Sequence, residues 1–277
     1  MPTQKEKAEA FHALHHRQGR AFLIPNPYDP GTARLLALMG FEALATTSAG
    51  FAFTRGRPDY TTTREEMLAH AADLVSATSL PVSADLENGY GKTPEEVADT
   101  YRRAAAAGLA GASIEDTTND PANPFYDTPQ AVERVQAAVS AVRQLDFPFQ
   151  LTARTENYLN GKPDLADTIR RLQAFQEAGA DVLYAPGITK KEEIAELVRS
   201  VDRPVNVLMG LKGAPYSLQD LQELGVTRVS VGSALSRAAL GGFLRAAREM
   251  LQEGTFHFAD EAEPYQDLTQ LFASVSQ

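Results

Sequence analysis

Residues 104–115 read AAAAGLAGASIE and decide the fold, because a helical, alanine-rich segment closes on Gly108 and an apolar strand follows from Gly111 to Glu115. Glycine is favoured just past a helix end, where it adopts the left-handed conformation without the steric cost of a Cβ atom. The same helix–glycine–strand junction recurs at Gly40, Gly179 and Gly225. These junctions indicate repeated αβ units.

Eight strands can be placed by this pattern. Four of them follow the junctions, at Ala43 to Thr47, Gly111 to Glu115, Asp181 to Ala185 and Arg228 to Val231. Four more apolar segments fit between these, at Ala21 to Pro25, Pro81 to Asp85, Gln150 to Arg154 and Pro204 to Leu208. Helix starts are indicated by Thr63 with Glu66, by Thr93 with Glu96, and by Thr128-Pro129, in which proline takes the first helical position.

Alternating helices and short apolar strands imply a parallel sheet, and eight strands imply that the sheet closes. We therefore predict an α/β fold of the TIM type, a (β/α)8 barrel with an N-terminal helix and a C-terminal helical extension. A doubly wound open sheet is the less favoured alternative, because no G-x-G-x-x-G motif follows the first strand.

The 277 residues fit one domain, since (β/α)8 barrels of about 250 residues are routinely single domains. We expect the barrel to span about residues 20–253, after an amphipathic helix from about Lys5 to Gln18 and before a helical tail at residues 254–277. One face of the tail carries four apolar residues, Leu268, Leu271, Phe272 and Val275. That face must be buried against the chain's own barrel or against a neighbouring subunit, and the sequence leaves both open.

The charge and composition exclude several functions. With 26 Lys and Arg against 36 Asp and Glu, the net charge is −10, which repels nucleic acid and anionic lipid surfaces. The sequence holds no cysteine, so it offers no disulfide, no thiolate nucleophile and no sulfur-ligated metal. Neither a signal peptide nor a run of about 18 apolar residues is present. We expect a cytoplasmic protein without a nucleic-acid or membrane partner.

Acidic residues collect at the ends of the third and fourth predicted strands. Asp85 and Glu87 are two apart on an extended segment, so both carboxylates can face the same side, and Glu115 ends the adjacent strand. In a barrel these strand ends meet at one mouth, where three carboxylates repel one another unless a cation lies between them. An oxygen-only donor set suits Mg²⁺ or Mn²⁺. The alternative is that these acids are helix caps or surface residues.

Two other strand ends carry groups that suit an anionic substrate. Arg154 ends the fifth strand and would project a fixed guanidinium into the mouth, although a salt bridge to Glu115 or Glu156 is the alternative. Small side chains in residues 48–50 leave backbone N–H groups open to an anionic oxygen. Gly232-Ser233 after the eighth strand fits a phosphate cup or a plain turn equally well.

Other reaction types are disfavoured by what the strand ends lack. A zinc site, a Ser-His-Asp triad and a histidine base are not expected, because every histidine lies away from the predicted strand ends. The histidines are His12, His15, His16, His70 and His257. Schiff-base chemistry is disfavoured because the one lysine of the strand-end regions, Lys212, lies beyond the seventh strand.

Five motifs, in this order and spacing, resemble the isocitrate lyase/phosphoenolpyruvate mutase superfamily: Asn26-Pro27-Tyr28-Asp29, Thr47-Ser48-Ala49-Gly50, Asp85-Leu86-Glu87-Asn88-Gly89-Tyr90-Gly91, Ser113-Ile114-Glu115-Asp116 and Thr152-Ala153-Arg154-Thr155-Glu156. The likeness extends from about Ala8 to Glu253. It implies a (β/α)8 barrel, Mg²⁺, and chemistry on 2-oxo acids through a metal-bound enolate. It also implies a homo-oligomer, a tetramer or dimer, whose subunits exchange C-terminal helices.

The resemblance implies roles for the acidic residues and the arginine. Asp85 would ligate the metal directly or through water, and Glu87 and Glu115 would hold it through water. Arg154 would neutralise the enolate or carboxylate. Asp59 matches another acidic position near the metal, and we expect it to be catalytic together with Arg154.

The resemblance also implies which residues bind the substrate. The carboxylate of the oxo acid would be bound by Ser48, Ala49 and Gly50. The expected substrate-binding set is completed by Tyr28, Asp85 and Arg154. Asn119 and Asn123 are candidates for catalytic residues on a mobile loop that covers the site. They are equally suited to be ordinary loop formers.

Departures from the family pattern narrow the chemistry. The K-[KR]-C-G-H loop of the lyases is replaced by residues 117–124, which lack the cysteine and also lack the Lys and the Asn-Ser pair of the mutases. Thr46 stands where the lyases have tyrosine. Ala185-Pro186-Gly187 stands where a glutamate usually follows the sixth strand.

The remaining residues fit a Mg²⁺-dependent lyase that cleaves a C–C bond of a 2-hydroxy or 2-oxo di- or tricarboxylate, in the manner of 2-methylisocitrate lyase or oxaloacetate decarboxylase. Protonation after cleavage needs no thiol, because water can supply the proton. Two alternatives stay open. One is a 2-oxo acid binding protein with little turnover, and the other is P–C bond chemistry on phosphonopyruvate or phosphoenolpyruvate.

Overall fold

The structure is a computed structural model that describes residues 2–275. Within them, eight parallel strands form the sheet: β1 (Phe22–Ile24), β2 (Leu44–Ala45), β3 (Val82–Asp85), β4 (Gly111–Glu115), β5 (Gln150–Arg154), β6 (Val182–Tyr184), β7 (Val205–Leu208) and β8 (Arg228–Ser230). Neighbouring strands follow the order β1-β8-β7-β6-β5-β4-β3-β2. The N–H of Ala45 donates to the carbonyl of Pro25 at 3.1 Å, which links β2 to the end of β1 and closes the barrel. The predicted (β/α)8 barrel is confirmed.

The described part of the chain also contains eleven α-helices: α1 (Gln4–His15), α2 (Pro30–Leu38), α3 (Ser48–Thr54), α4 (Arg64–Ala77), α5 (Pro94–Ala106), α6 (Thr128–Val142), α7 (Leu165–Glu177), α8 (Lys191–Arg199), α9 (Leu218–Glu223), α10 (Ala234–Gln252) and α11 (Tyr265–Val275). A short 3-10 helix, His257–Glu261, precedes α11. None of these helices combines the length and the apolar composition that a membrane crossing requires.

The local signals of the sequence act as expected at most helix ends. Gly108 follows α5 with φ of 91°, and the glycines at the three equivalent junctions are left-handed as well. Thr63 and Thr93 each form a capping box with the glutamate three residues on. The start of α6 differs from the prediction: Asp127 is the N-cap and accepts from the N–H of Gln130. Thr128 is therefore already helical, and the proline after it is the second helical residue.

The alternation of side chains along each strand separates an apolar layer from a polar barrel interior. On β5, Leu151 and Ala153 are buried in the main hydrophobic core between strands and helices. Thr152 faces the other way, because its hydroxyl accepts from Nη2 of Arg228 across the barrel at 3.0 Å. Arg154, two residues further on, faces the interior and reaches its upper end. The alternation of side chains along the strands thus places polar groups at the carboxyl-terminal mouth of the barrel.

The two ends of the chain lie against the barrel. The N-terminal helix packs Phe11 into a small core with Phe22 and Ile24 of β1. In the tail, α11 contacts α2, and the Phe272 ring lies near Gly31. Residues 276 and 277 of the predicted tail and the side chain of Val275 lie outside the described part of the chain.

Candidate active site

A cavity of about 170 Å³ opens at the carboxyl ends of the barrel strands. This is the end at which (β/α)8 barrels carry their active sites. Five of the predicted site residues contribute to its lining, namely Ser48, Ala49, Asp59, Asp85 and Arg154. The others lie outside that lining within the described residues: Tyr28, Gly50, Glu87, Glu115, Asn119 and Asn123.

Arg154 joins three carboxylates at the base of the mouth. Its Nη1 donates to Oδ1 of Asp85 at 2.8 Å, and its Nε donates to Oε1 of Glu156 at 2.8 Å. Its Nη2 lies 3.2 Å from Oε2 of Glu115 and 2.7 Å from Oε1 of Glu156. The side chain is only 12% exposed, and its guanidinium lies over the Tyr184 ring. The ion pairs considered as the alternative are therefore present, and they fix the guanidinium in the cavity wall.

Asp85 is held by groups that follow the neighbouring strand β2. Its Oδ2 accepts from the N–H of Ser48 at 3.1 Å and from the Ser48 hydroxyl at 2.8 Å. The backbone N–H of Asp85 donates to the Thr46 hydroxyl at 2.8 Å. Thr47 caps α3 through its hydroxyl, which accepts from the N–H of Gly50. The residues after β2 thus orient the carboxylate at the end of β3.

Glu115 and Glu87 lie just behind the lining. Glu115 accepts from the Tyr60 hydroxyl at 2.9 Å and from the Thr117 hydroxyl at 2.6 Å. Burial raises the pKa of Glu115, although Arg154 opposes this effect. Glu87 is buried and left-handed, with φ of 47°, and its carboxylate accepts a long hydrogen bond of 3.4 Å from Thr62. Burial, followed by repulsion from Asp85 and Glu115, raises the pKa of Glu87 to about 8.

The cluster carries more negative than positive charge. Burial raises the pKa of Glu156 to about 8, and burial together with Asp85 raises the pKa of Asp59. Oxygen donors with excess negative charge are what Mg²⁺ or Mn²⁺ requires, so the chemistry of these side chains fits a hard divalent cation. Among the described residues, no three acidic or histidine side chains are already grouped around one point as a metal site. The fit therefore concerns donor type and charge.

Tyr60 and Asn26 are among the contributors to the site that the sequence did not predict. Tyr60 lines the cavity from the loop between α3 and α4, and nothing in the strand pattern indicates its position. Asn26 ties three strand ends together: its Nδ2 donates to the carbonyl of Thr46, and its Oδ1 accepts from the N–H groups of Val231 and Gly232. Asn26 belongs to the Asn26-Pro27-Tyr28-Asp29 motif, which marked this segment as part of the site. The motif did not show that the Asn26 side chain links strand ends.

A second arginine lies at the floor of the cavity. Nε of Arg228 donates to Oδ1 of Asn206 at 2.9 Å, and its Nη2 donates to Thr152. Its Nη1 lies 3.3 Å from Nε2 of His15, which α1 supplies from below. Burial lowers the pKa of Arg228 to about 10. Neutral groups therefore satisfy this buried cation.

The loop that replaces the lyase cysteine motif is ordered by its own contacts. Thr117 and Phe125 form an antiparallel bridge across its base. Asn119 is left-handed, with φ of 62°, and accepts from the Thr117 hydroxyl at 3.3 Å. The carbonyl of Asn123 accepts from the Thr118 hydroxyl. The catalytic role of the two asparagines stays a prediction. Lys212 is exposed on another loop and is not part of the cavity lining.

Comparison with known proteins gives a consistent result. The sequence profile of the phosphoenolpyruvate phosphomutase family matches residues 11–251. A solved structure from Burkholderia cenocepacia J2315, provisionally assigned as a lyase or mutase, is similar with a TM-score of 0.95 and 61% identity, over 98% of this chain and 96% of that one. An uncharacterized protein of Mycobacterium tuberculosis is 36% identical over 86% of this chain and 88% of its own. An oxaloacetate decarboxylase of Paraburkholderia xenovorans is 31% identical over 75% of this chain and 69% of its own.

Proposed function

Because the chain belongs to the phosphoenolpyruvate phosphomutase family of the isocitrate lyase/phosphoenolpyruvate mutase superfamily, we propose that it is a Mg²⁺-dependent carbon–carbon lyase acting on a 2-oxo or 2-hydroxy carboxylate. The reaction would resemble that of 2-methylisocitrate lyase or oxaloacetate decarboxylase. The observation that carries the proposal is the placement of Arg154 beside Asp85 in a cavity at the catalytic end of the barrel. The family relationship supports enzyme activity, since its members are lyases and mutases.

The metal would be held by Asp85, Glu87 and Glu115, directly or through water. When bound, a divalent cation supplies Lewis-acid stabilisation of an oxo acid's oxygens. It would also relieve the charge that leaves Glu87 with a raised pKa. The Ser48 hydroxyl and N–H already orient Asp85, so this carboxylate needs little reorganisation to act as a ligand.

The chain's own groups would stabilise charge on the oxo acid fragment. When the C–C bond of a 2-oxo acid breaks, its electron pair remains on the oxo acid fragment as an enolate, and the other fragment leaves as carbon dioxide or a carbonyl compound. A 2-hydroxy acid would first lose its hydroxyl proton to water, the 2-oxo acid would form as the carbonyl product, and the electron pair would remain on the other fragment. Arg154 presents a fixed cation to the developing negative charge and costs no reorganisation at that moment. The enolate then takes a proton from water, which fits a chain with no cysteine. Asp59 lines the cavity, burial raises its pKa, and it would orient that water.

Two other functions keep support from particular residues. The loop at residues 117–124 lacks the cysteine and lysine of active relatives, which favours a 2-oxo acid binding protein with little turnover. Membership of a family named for a phosphomutase favours P–C bond chemistry. Tight Mg²⁺-dependent binding without product would identify the first, and a shifted phosphorus resonance would identify the second.

We also propose that the protein is a homo-oligomer, a tetramer or dimer, in which C-terminal helices are exchanged. Helix α10 follows β8, yet Phe243 on it is 68% exposed. On the barrel, Leu23 of β1 is 38% exposed, although a strand side chain that faces outward is normally covered by a helix. A second subunit would cover both surfaces. Light scattering on the purified protein measures the assembly directly.

Proton and phosphorus NMR of the purified protein with Mg²⁺ tests the reaction. The panel contains oxaloacetate, isocitrate, 2-methylisocitrate, dimethylmalate and phosphonopyruvate. We expect one carboxylate to be consumed, and we expect a chelator or Asp85→Ala to stop its consumption. Parent-like activity of Asp85→Ala would contradict the proposal.

A further inference from the structure

One side of the cavity rim is apolar. Leu159, in the loop after β5, is 50% exposed at the mouth and packs against the loop after β6 at Gly187. Pro186 of that loop is buried in the lining, and Leu208 ends β7 beside Gly232. Three consecutive strand ends thus present hydrocarbon to the substrate. The other side of the rim carries the acidic cluster and Ser48.

Neither cation of the described lining belongs to this apolar set. Arg154 already forms ion pairs with three carboxylates, those of Asp85, Glu115 and Glu156. Arg228 is buried at the floor, where Asn206, Thr152 and His15 engage it. A second substrate carboxylate placed on these three side chains would therefore contact hydrocarbon and no cationic side chain, which is unfavourable.

The net charge of the cavity mouth also disfavours a second substrate carboxylate. Asp59, Asp85 and Glu156 line the cavity together. Arg154 pairs with Asp85 and Glu156, and the second cation of the lining, Arg228, lies at the floor. A divalent cation carrying one substrate carboxylate would reduce this excess of negative charge. A second anionic group on the substrate would cancel that reduction. The hydroxyl of Ser233 also lines this region and offers a neutral hydrogen bond.

From this we infer that the substrate is a 2-oxo or 2-hydroxy acid whose far end is uncharged, so that one carboxylate binds at the Asp85 side and an aliphatic or hydroxyl-bearing tail lies on Leu159, Pro186 and Leu208. The inference rests on the proposed function and narrows it, because it excludes tricarboxylates and disfavours dicarboxylates with a retained second carboxylate. A dicarboxylate remains compatible when that group leaves as carbon dioxide.

Calorimetric titration in the presence of Mg²⁺ tests the inference with three probes. Oxalate tests only the anchor, by which we mean the binding of a carboxylate at the Asp85 side with Mg²⁺ present. The matched pair 2-oxopentanoate and 2-oxoglutarate differ at one end, which is a methyl group in the first and a carboxylate in the second. We expect oxalate to bind and 2-oxopentanoate to bind at least about tenfold more tightly than 2-oxoglutarate, because the latter buries an unpaired charge. Leu159→Lys should reduce or reverse that preference by supplying a cation at the rim. Leu38→Lys, at a residue that is 43% exposed on α2 and away from the cavity, is the control and should keep it.

Each outcome bears on a different claim. If oxalate binds but 2-oxoglutarate binds as tightly as 2-oxopentanoate, the uncharged-tail inference is wrong and the proposed function stands. If oxalate fails to bind with Mg²⁺, the proposed anchor is wrong and the inference falls with it. The comparison of the two oxo acids on the parent protein needs no variant, so a folding defect in Leu159→Lys does not remove the test.

Discussion

Replacement of Glu87 by glutamine should stabilise the metal-free protein at pH 8. Glu87 is buried, and burial together with Asp85 and Glu115 raises its pKa from 4.5 to about 8. Because the folded-state pKa lies above the unfolded value, folding favours the protonated carboxyl. Its contribution to stability is complete below about pH 4.5 and is lost as the pH rises to about 8. At about 1.4 kcal/mol for each unit of pKa difference between the folded and unfolded states, the stability lost is on the order of 5 kcal/mol.

Urea unfolding in the presence of a chelator, at pH 5, 6, 7 and 8, measures the effect. We expect the parent's free energy of unfolding to fall across this range and that of Glu87→Gln to fall less, with the largest difference at pH 8. Glu9→Gln, an exposed position on α1, is the control and should follow the parent. A parent protein whose stability rises from pH 5 to pH 8, or a Glu87→Gln profile that matches the parent's, would refute the reasoning.

Three further substitutions test other contacts. Arg154→Met leaves three carboxylates, none more than 18% exposed, without their cation, so it should cost about 3–5 kcal/mol of unfolding free energy and abolish turnover; a stable, active variant would contradict this. Arg134→Met removes the Nη2 donor to the carbonyls of Asn88 and Gly91, at 2.7 Å each, and should cost about 2–3 kcal/mol in urea unfolding, whereas a change below 0.5 kcal/mol (about the scatter of surface substitutions) would count against this role. Gly91→Ala places a Cβ 2.6 Å from the N atom of Val97, so a lower melting temperature is expected, and an unchanged one would show that the loop yields freely.

Much of the fold followed from local signals. The predicted strands at β4 and β5 coincide with the observed ones, and the other six are shorter at one or both ends. Glycine at the helix ends is informative because a positive φ is costly for other residues. The start of α6 was misplaced by one residue because Asp127 and Thr128 are both good caps, and only the structure shows which side chain reaches the N–H of Gln130.

The site was predictable where it depends on strand ends. Asp85, Ser48 and Arg154 come together because the carboxyl ends of parallel strands share one rim. Tyr60 could not be predicted, since its position depends on the path of a loop. The contacts of Arg228 could not be predicted either, because its partners Thr152 and His15 are far from it in sequence and meet it only inside the closed barrel.

An anomalous difference map from a crystal grown with Mn²⁺ and oxalate tests the central claim most directly. We expect a manganese peak beside the carboxylate of Asp85, with oxalate on the metal and Arg154 next to it. A peak elsewhere, or oxalate bound away from Asp85 and Arg154, would contradict it.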